Sequence, residues 1–448
     1  MIARLQKLLA SKATQDRLEC LAIGAPAAAP VSLRLELGSG ERDWLELVPK
    51  NLPFWYRARV EHREFRLGIG HALQVASGGR HRFAALDNAF AGLRRNWRHE
   101  GSALAFAGFA FAPSDEGPLP NALLAIPGIL LECLDGRCTA TLSTPAGRWR
   151  QAIAEWSAWL AQRSARTGTR PLTLLPGACA TLADRAWIAR CRSGLRAIAN
   201  GHLDKLVLTR SRRLEASQAI DPAALLAALL IQQANSVIYA HGDGHRIFLG
   251  ATPERLVSLR RGRIDADALA GTAWAAAPQL TNAKNRHEQS LVVDAVNAAL
   301  TPLASAPPII GQVDEQPAGQ LRHLRSRITA QALPGTTLFD LLAALHPTPA
   351  VGGHPTAAAL AWLAEHGEQR HGWYSGGFGW LDQDGDGDFS VALRSALISE
   401  RSALLQAGAG IVAGSDPDTE LAETEAKLST LLAAFASAAH PSVEDTGT

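Results

Sequence analysis

Cysteine is scarce in this chain: Cys20, Cys133, Cys138, Cys179 and Cys191 are the only five in 448 residues. An odd count without a CxxC pair argues against a disulfide framework or a zinc site and suits the reducing cytoplasm. Charge of one sign is also missing. The formal net charge is +2 and no dense basic patch occurs, so neither nucleic acid nor an acidic membrane surface is an expected partner. Long hydrophobic runs are absent too. The most apolar stretch, LPNALLAIPGILLECL, is cut by Pro127 and too short to cross a bilayer. At the N-terminus Ile2, Leu5, Leu8 and Leu9 have helical spacing, but Arg4 and Lys7 interrupt them, so no signal peptide is read there. No internal repeat of fixed period is found. What is present, 47% hydrophobic and 19% charged residues, fits a soluble globular protein with a sizeable core.

Along the chain, strand-like runs (VSLRLELG, FRLGIG, ALAFAGFAF, GILLECL) precede an amphipathic helix at 149–163 with Ile153, Trp156, Trp159 and Leu160 on one face. The polar stretch SARTGTRP (164–171) reads as a linker. Beyond it, DRAWIARCRSGLRAIANG and NRHEQSLVVDAVNAAL are expected helices, and Asp221-Pro222 opens another as N-cap and first-turn proline. A meander turns at GDG and RRG, GWLDQDGDGDFSVALRSALIS forms a long hairpin, and ALLQAGAGIVA is a strand. Hairpins outnumber β-helix-β crossovers, which favours antiparallel sheet. The tail HPSVEDTGT is expected to fray.

Two motifs are set aside. In LDQDGDGDFSVAL, Asp382, Asp384, Asp386 and Gly387 mimic a calcium loop, but Leu393 stands where a bidentate Glu is required. A hairpin turn is the better reading. GAGIVA (408–413) matches a dinucleotide fingerprint only loosely and is not followed directly by a helix.

Four features resist a purely structural reading. Alternation in KLVLTR puts Lys205 on a largely apolar face, unless the strand starts there with its amine in water. Arg394 lies mid-strand in FSVALRSALI beside Ser390, Ala392 and Ala396. There it would grip a carboxylate with two prongs or close an internal salt bridge. Glu254 follows Thr252-Pro253 at a strand end, where burial could raise its pKa, though an exposed turn glutamate has the same sequence. In DPDTELAETEAK, Asp416 and Asp418 suit the cap and first turn of a helix. Glu420, Glu423 and Lys427 form a separate stripe beside Leu421, Leu428 and Leu431, and Glu288 has the same character on another helix. Carboxylates aimed at one cavity repel unless a cation stands between them, and oxygen ligands alone select Mg²⁺.

These segments resemble the chorismate-utilising enzymes, most of all the isochorismate synthases. The matching runs are KLVLTR, FLGATPERLV, ALAGTA, RHEQSLVVDAV, HPTPAVGG, YSGGFGW, GDGDFSVALRSA, AGAGIVAGSDP and ELAETEAKLS, in family order over about residues 180–436. One departure is Gln289, where a second histidine is more usual. The fold implied is α+β: two antiparallel sheets packed face to face with helices outside. Residues 1–170 would form its N-terminal portion, 171–436 the catalytic portion and 437–448 a flexible tail. The resemblance implies that Lys205 is the general base activating water and Glu254 the general acid. Glu288 and Glu420 would bind Mg²⁺ with Glu423 close by. Arg394 and Tyr374 would hold the pyruvyl carboxylate. Gly271, Thr272, Gly408 and Lys427 would be further substrate contacts, with His346 in the pocket. Ammonia-using relatives usually have Gln where Lys205 stands, and aminodeoxychorismate synthases a Lys where Ala270 stands. Water, not ammonia, is therefore the expected nucleophile, and neither an amidotransferase subunit nor a second copy of the chain is expected. A salicylate synthase, which adds pyruvate elimination, is the alternative. The product would feed menaquinone, a catechol siderophore or salicylate.

Overall fold

The computed structural model describes residues 1–161, 173–175, 181–274, 280 and 282–439. The expected linker at 164–171, Cys179 and the tail 440–448 lie outside the described residues. The last helix, Pro417–Ala439, continues past 437, so the last three residues of that helix belong to it and not to a tail.

Sheet pairing branches at one strand. Ala122–Leu134 pairs along its length with Glu64–Ser77, while its two ends also pair with Leu104–Phe109 and Arg137–Pro145. One arm continues from Glu64–Ser77 through Pro53–Arg59, Val237–Asp243, Arg246–Thr252, Ser395–Ser399 and Ser402–Val412 to Lys205–Glu215. The other runs from Leu104–Phe109 through Gly377–Asp382, Gly387–Val391, Arg255–Arg260 and Arg263–Trp274 to Leu321–Gln331. All these pairings are antiparallel. The two expected sheets are thus joined by hydrogen bonds at Ala122–Leu134. Strands from before and after the expected linker pair directly in both arms, so the two portions share one framework.

The arms face each other across a core built from strand residues. Trp55 stacks on Phe106 with ring centroids 5.6 Å apart, and Tyr239 lies 5.1 Å from Phe378. Each pair joins one arm to the other, and such contacts add about 0.5–1.5 kcal/mol beyond area burial. Helices cover the outer faces. Ile2–Leu9, Trp149–Ala161, Pro222–Gln232 and Pro417–Ala439 share one core through Leu5, Trp156, Leu226 and Leu431. Arg82–Asn96, Thr181–Ala199, Ala283–Leu300 and Leu338–Leu345 share another through Leu86, Trp187, Val292 and Leu342. Asp221 caps its helix as expected, accepting from the Ala223 N–H at 3.0 Å. Among the described residues no helix is long and apolar enough to cross a membrane.

DQDGDG is a hairpin turn between Gly377–Asp382 and Gly387–Val391. Asp382 spends its Oδ1 on the N–H groups of Asp384 and Asp386, at 2.9 and 3.0 Å. All of GAGIVA but Ala413 lies inside the strand Ser402–Val412, which excludes a phosphate-cradling loop there.

Candidate active site

Two short connections lead directly from a strand of one arm to a strand of the other, and each carries a charged side chain. Glu254 sits between Arg246–Thr252 and Arg255–Arg260; Arg394 sits between Gly387–Val391 and Ser395–Ser399. The crossings lock together: Val391 N–H donates to the Glu254 carbonyl at 3.0 Å, and Ala251 N–H to the Arg394 carbonyl at 3.3 Å. Arg394 is therefore not mid-strand. Its φ of +49° places it in the left-handed region, so the residue turns the chain instead of alternating with Ser390 and Ala392.

One cavity beside these crossings is lined by Lys205, Glu254, Gly271, Thr272, Glu288, Tyr374, Arg394, Gly408, Glu423 and Lys427. Two expected residues are absent from its wall. Glu420 is buried nearby and held by Lys284. His346 belongs elsewhere: its Nε2 meets the Phe111 carbonyl at 3.1 Å and its ring packs against Phe109 and Phe111. Burial pushes its pKa down to about 3, so it is a neutral imidazole, set outside the wall of this cavity.

Lys205 opens the strand Lys205–Glu215, opposite Val412 and His354, and only 1% of it is exposed. Its Nζ lies 2.8 Å from Glu288 Oε1. Burial alone would raise the Glu288 pKa, but Lys205, Lys284 and Lys427 together hold it below the ordinary carboxylate value. Glycine makes this contact possible. A Cβ on Gly410 would press into Glu288 and stand 3.0 Å from Lys205 Cε. Glu254 has the opposite environment: burial, with help from Asp267 and against Lys205 and Lys427, pushes its pKa up to about 8. A base candidate and an acid candidate thus line one cavity.

On the far wall, Gly271 has φ +67° at the bulge that offsets Ala270 and Thr272 against Leu324 and His323. The bulge turns Thr272 Oγ1 to within 3.2 Å of His323 Nδ1, and His323 Nε2 lies 3.1 Å from Arg394 Nη2. Burial and the neighbouring Arg394 and Lys427 keep His323 neutral, its pKa well below the usual value. Arg394 Nη1 is buried without a hydrogen-bond partner. An unpaired guanidinium nitrogen beside a cavity can take a carboxylate oxygen. Gly408 stands where a Cβ would crowd the Tyr374 hydroxyl at 3.2 Å, and its carbonyl accepts from Lys427 Nζ at 2.8 Å.

The acids of the last helix divide as the stripe predicted. Asp416 caps it, accepting from Thr419 N–H at 2.9 Å, and Asp418 is exposed. Glu420 turns inward and is 2% exposed. Burial and the neighbouring Glu423 raise its pKa, although Lys284 opposes them. Glu423 pairs with Lys427 at 2.6 Å. Among the described residues no three acid or imidazole side chains are already gathered into a metal-binding group. Each carboxylate is instead held by its own lysine. Their oxygens are nonetheless the donor type that a hard cation takes, and Glu420, Glu288 and Glu423 all help to raise the pKa of Lys284.

Sequence reasoning missed His323, Lys284 and Gly410. Gln289, the departure from the resemblance, serves as a brace. Its Nε2 donates to the Ala268 carbonyl at 2.9 Å and lies 3.2 Å from Ser326 Oγ.

A family model described as "Chorismate binding enzyme" matches residues 43–436. The chain belongs to this family. This chorismate-binding enzyme is 36% identical over 282 residues to the salicylate biosynthesis isochorismate synthase of Pseudomonas aeruginosa, covering 61% of this chain and 59% of that one. It is 38% identical over 264 residues to isochorismate synthase DhbC of Bacillus subtilis, covering 54% of this chain and 65% of that one. It thus spans about three fifths of the length of these two relatives. Its fold matches that of MenF, the menaquinone-specific isochorismate synthase from Escherichia coli, with a TM-score of 0.78 at 24% identity over 94% of this chain and 98% of that one. Anthranilate synthase component I from Streptococcus pneumoniae shares the fold at a TM-score of 0.68 and 19% identity, over 82% of this chain and 92% of that one.

Proposed function

We propose that this enzyme converts chorismate to isochorismate by adding water at C2 and expelling the C4 hydroxyl. The observation that carries the proposal is that Lys205, Glu254 and Arg394, whose Nη1 is unpaired, line one cavity. Lys205 takes a proton from water as its oxygen attacks C2. The ring double bonds shift, and Glu254 gives its proton to the departing hydroxyl, which leaves as water. Oxygen is exchanged for oxygen, so no redox cofactor or nucleotide takes part. Lys205 Nζ meets Glu288 Oε1 at 2.8 Å, and that contact opens before the amine reaches the attacking water. Arg394 and Tyr374 hold the pyruvyl carboxylate, and Gly271, Thr272, Gly408 and Lys427 complete the substrate wall.

Mg²⁺, held by Glu288 and Glu420 with Glu423 close by, would neutralise the ring carboxylate. Because water is the nucleophile, the chain would need no amidotransferase subunit; a cytoplasmic monomer is the state proposed. The product would enter menaquinone or siderophore biosynthesis; the printed names of two similar proteins speak of menaquinone and of salicylate for them.

Incubation with chorismate and Mg²⁺ tests the reading. Isochorismate without pyruvate is expected; salicylate with equimolar pyruvate would make the protein a salicylate synthase, and unconsumed chorismate would reject both. Steady-state kinetics of Arg394→Lys test the carboxylate grip. The lysine keeps the charge but loses the fork. Losing one hydrogen bond to a charged group costs about 1.5–3 kcal/mol, so KM should rise roughly tenfold or more with kcat changed less. An unchanged KM would remove Arg394 from the substrate site.

A further inference from the structure

A lysine in the first turn of a helix opposes the macrodipole, whose N-terminal end is already positive. Lys284 stands there, second in Ala283–Leu300, and no acid shares the turn. It also precedes Glu288 by four residues, the less favourable order for such a pair. Helix stability therefore does not explain its placement. Its Nζ reaches to the other helix and donates to Glu420 Oε1 at 2.5 Å.

The lysines that hold the three carboxylates are not equivalent. The Lys205 side chain is 1% exposed and sealed against Glu288. Lys427 binds Glu423 and also the Gly408 carbonyl in the cavity wall. Lys284 has a side chain 30% exposed, and Glu420 is its only hydrogen-bond partner among the described residues. It alone of the three can swing into solvent without giving up a second hydrogen bond.

We infer that Lys284 is a tethered cation that competes with the metal. It screens Glu420, and through space Glu288 and Glu423, in the metal-free chain, and withdraws to solvent when Mg²⁺ takes these carboxylates. The inference rests on the reading that these acids bind Mg²⁺. Exchange trades one positive charge for two, so the cavity becomes more attractive to a dianionic substrate. The cost of breaking Lys284–Glu420 is built into the metal affinity and sets the Mg²⁺ concentration at which the site fills.

Calorimetric titration of Mg²⁺ into the metal-stripped full chain tests this, comparing wild type with Lys284→Met, Lys284→Arg and Glu420→Gln. Removing a charged hydrogen bond that opposes the metal should tighten binding in Lys284→Met by about tenfold or more, while Lys284→Arg binds no tighter than wild type. Thermal unfolding supplies a second readout. Without metal, Lys284→Met should melt below wild type because Glu420 has lost its partner, and Mg²⁺ should raise its Tm by more than it raises that of wild type. Equal or weaker Mg²⁺ binding by Lys284→Met, with binding still abolished in Glu420→Gln, overturns the exchange and leaves the metal site standing. Absence of any Mg²⁺ heat or Tm response in wild type and Lys284→Met alike overturns the metal reading, and the exchange with it.

Discussion

Lys205→Ala should lower kcat for chorismate isomerisation by roughly 10²–10⁴-fold, the usual contribution of a positioned general base. The lysine is 1% exposed and its amine meets Glu288 at 2.8 Å, so the substitution also strips a buried carboxylate of its partner. Breaking a buried pair from one side costs about 3–5 kcal/mol, and a lower Tm is expected alongside the lost turnover. Lys205→Gln separates the two effects. Its amide can still donate to Glu288 and nearly fills the same volume, so its Tm should lie closer to wild type while kcat stays low. A glutamine variant with near-normal turnover would show that another group takes the proton from water.

Glu254→Gln should reduce kcat by a similar roughly 10²–10⁴-fold, because an amide cannot protonate the departing hydroxyl. This residue also ties activity to pH. Its pKa in the folded chain is raised from 4.5 to about 8, first by burial and then by Asp267. The acid form is the working form, so wild-type kcat/KM should fall as pH rises through about 8. The residual activity of the variant should lack that limb. Stability follows the same proton. Between 4.5 and about 8 the folded chain keeps a proton that the unfolded chain has lost. This contribution therefore weakens as pH rises through that window, by up to about 1.4 kcal/mol per pH unit. Glutamine has no such proton, so the variant should gain on wild type in melting experiments as pH climbs from 5 to 8. A constant difference in Tm across that range would mean that Glu254 is ionised in the folded state.

The sequence carried the site where a residue type contradicted its surroundings. Lys205 in an apolar strand, an arginine among small residues and acids on the inward stripe of a helix were each legible as misplaced charge. Arg394 was found for a partly wrong reason. Strand alternation cannot reveal a left-handed turn in the middle of an apolar run, and only the crossing of the two arms explains the break. His323 lies 71 residues from Arg394 in the chain, and RHLRSR shows nothing that marks a neutral buried imidazole. Nothing in the local sequence marks Lys284, because its partner lies on another helix, 136 residues away. Its position in the first turn was the available signal, and it was legible only once the helix start at Asn282 was known. His346 was carried in by resemblance alone, and the aromatic wall around Phe109 and Phe111 holds it away from the cavity. Antiparallel pairing was legible from the hairpin turns, whereas the branching at Ala122–Leu134 was not, because one apolar run reads the same with two neighbours or three.

The central claim is that Lys205 delivers an oxygen from solvent to C2 of chorismate. A single turnover in water enriched with heavy oxygen, read by mass spectrometry of the product, tests it most directly. The account predicts isochorismate labelled at C2, with the expelled C4 oxygen appearing in solvent. Unlabelled isochorismate would contradict it, because the hydroxyl would then have moved within the substrate and no base would have been needed to activate water.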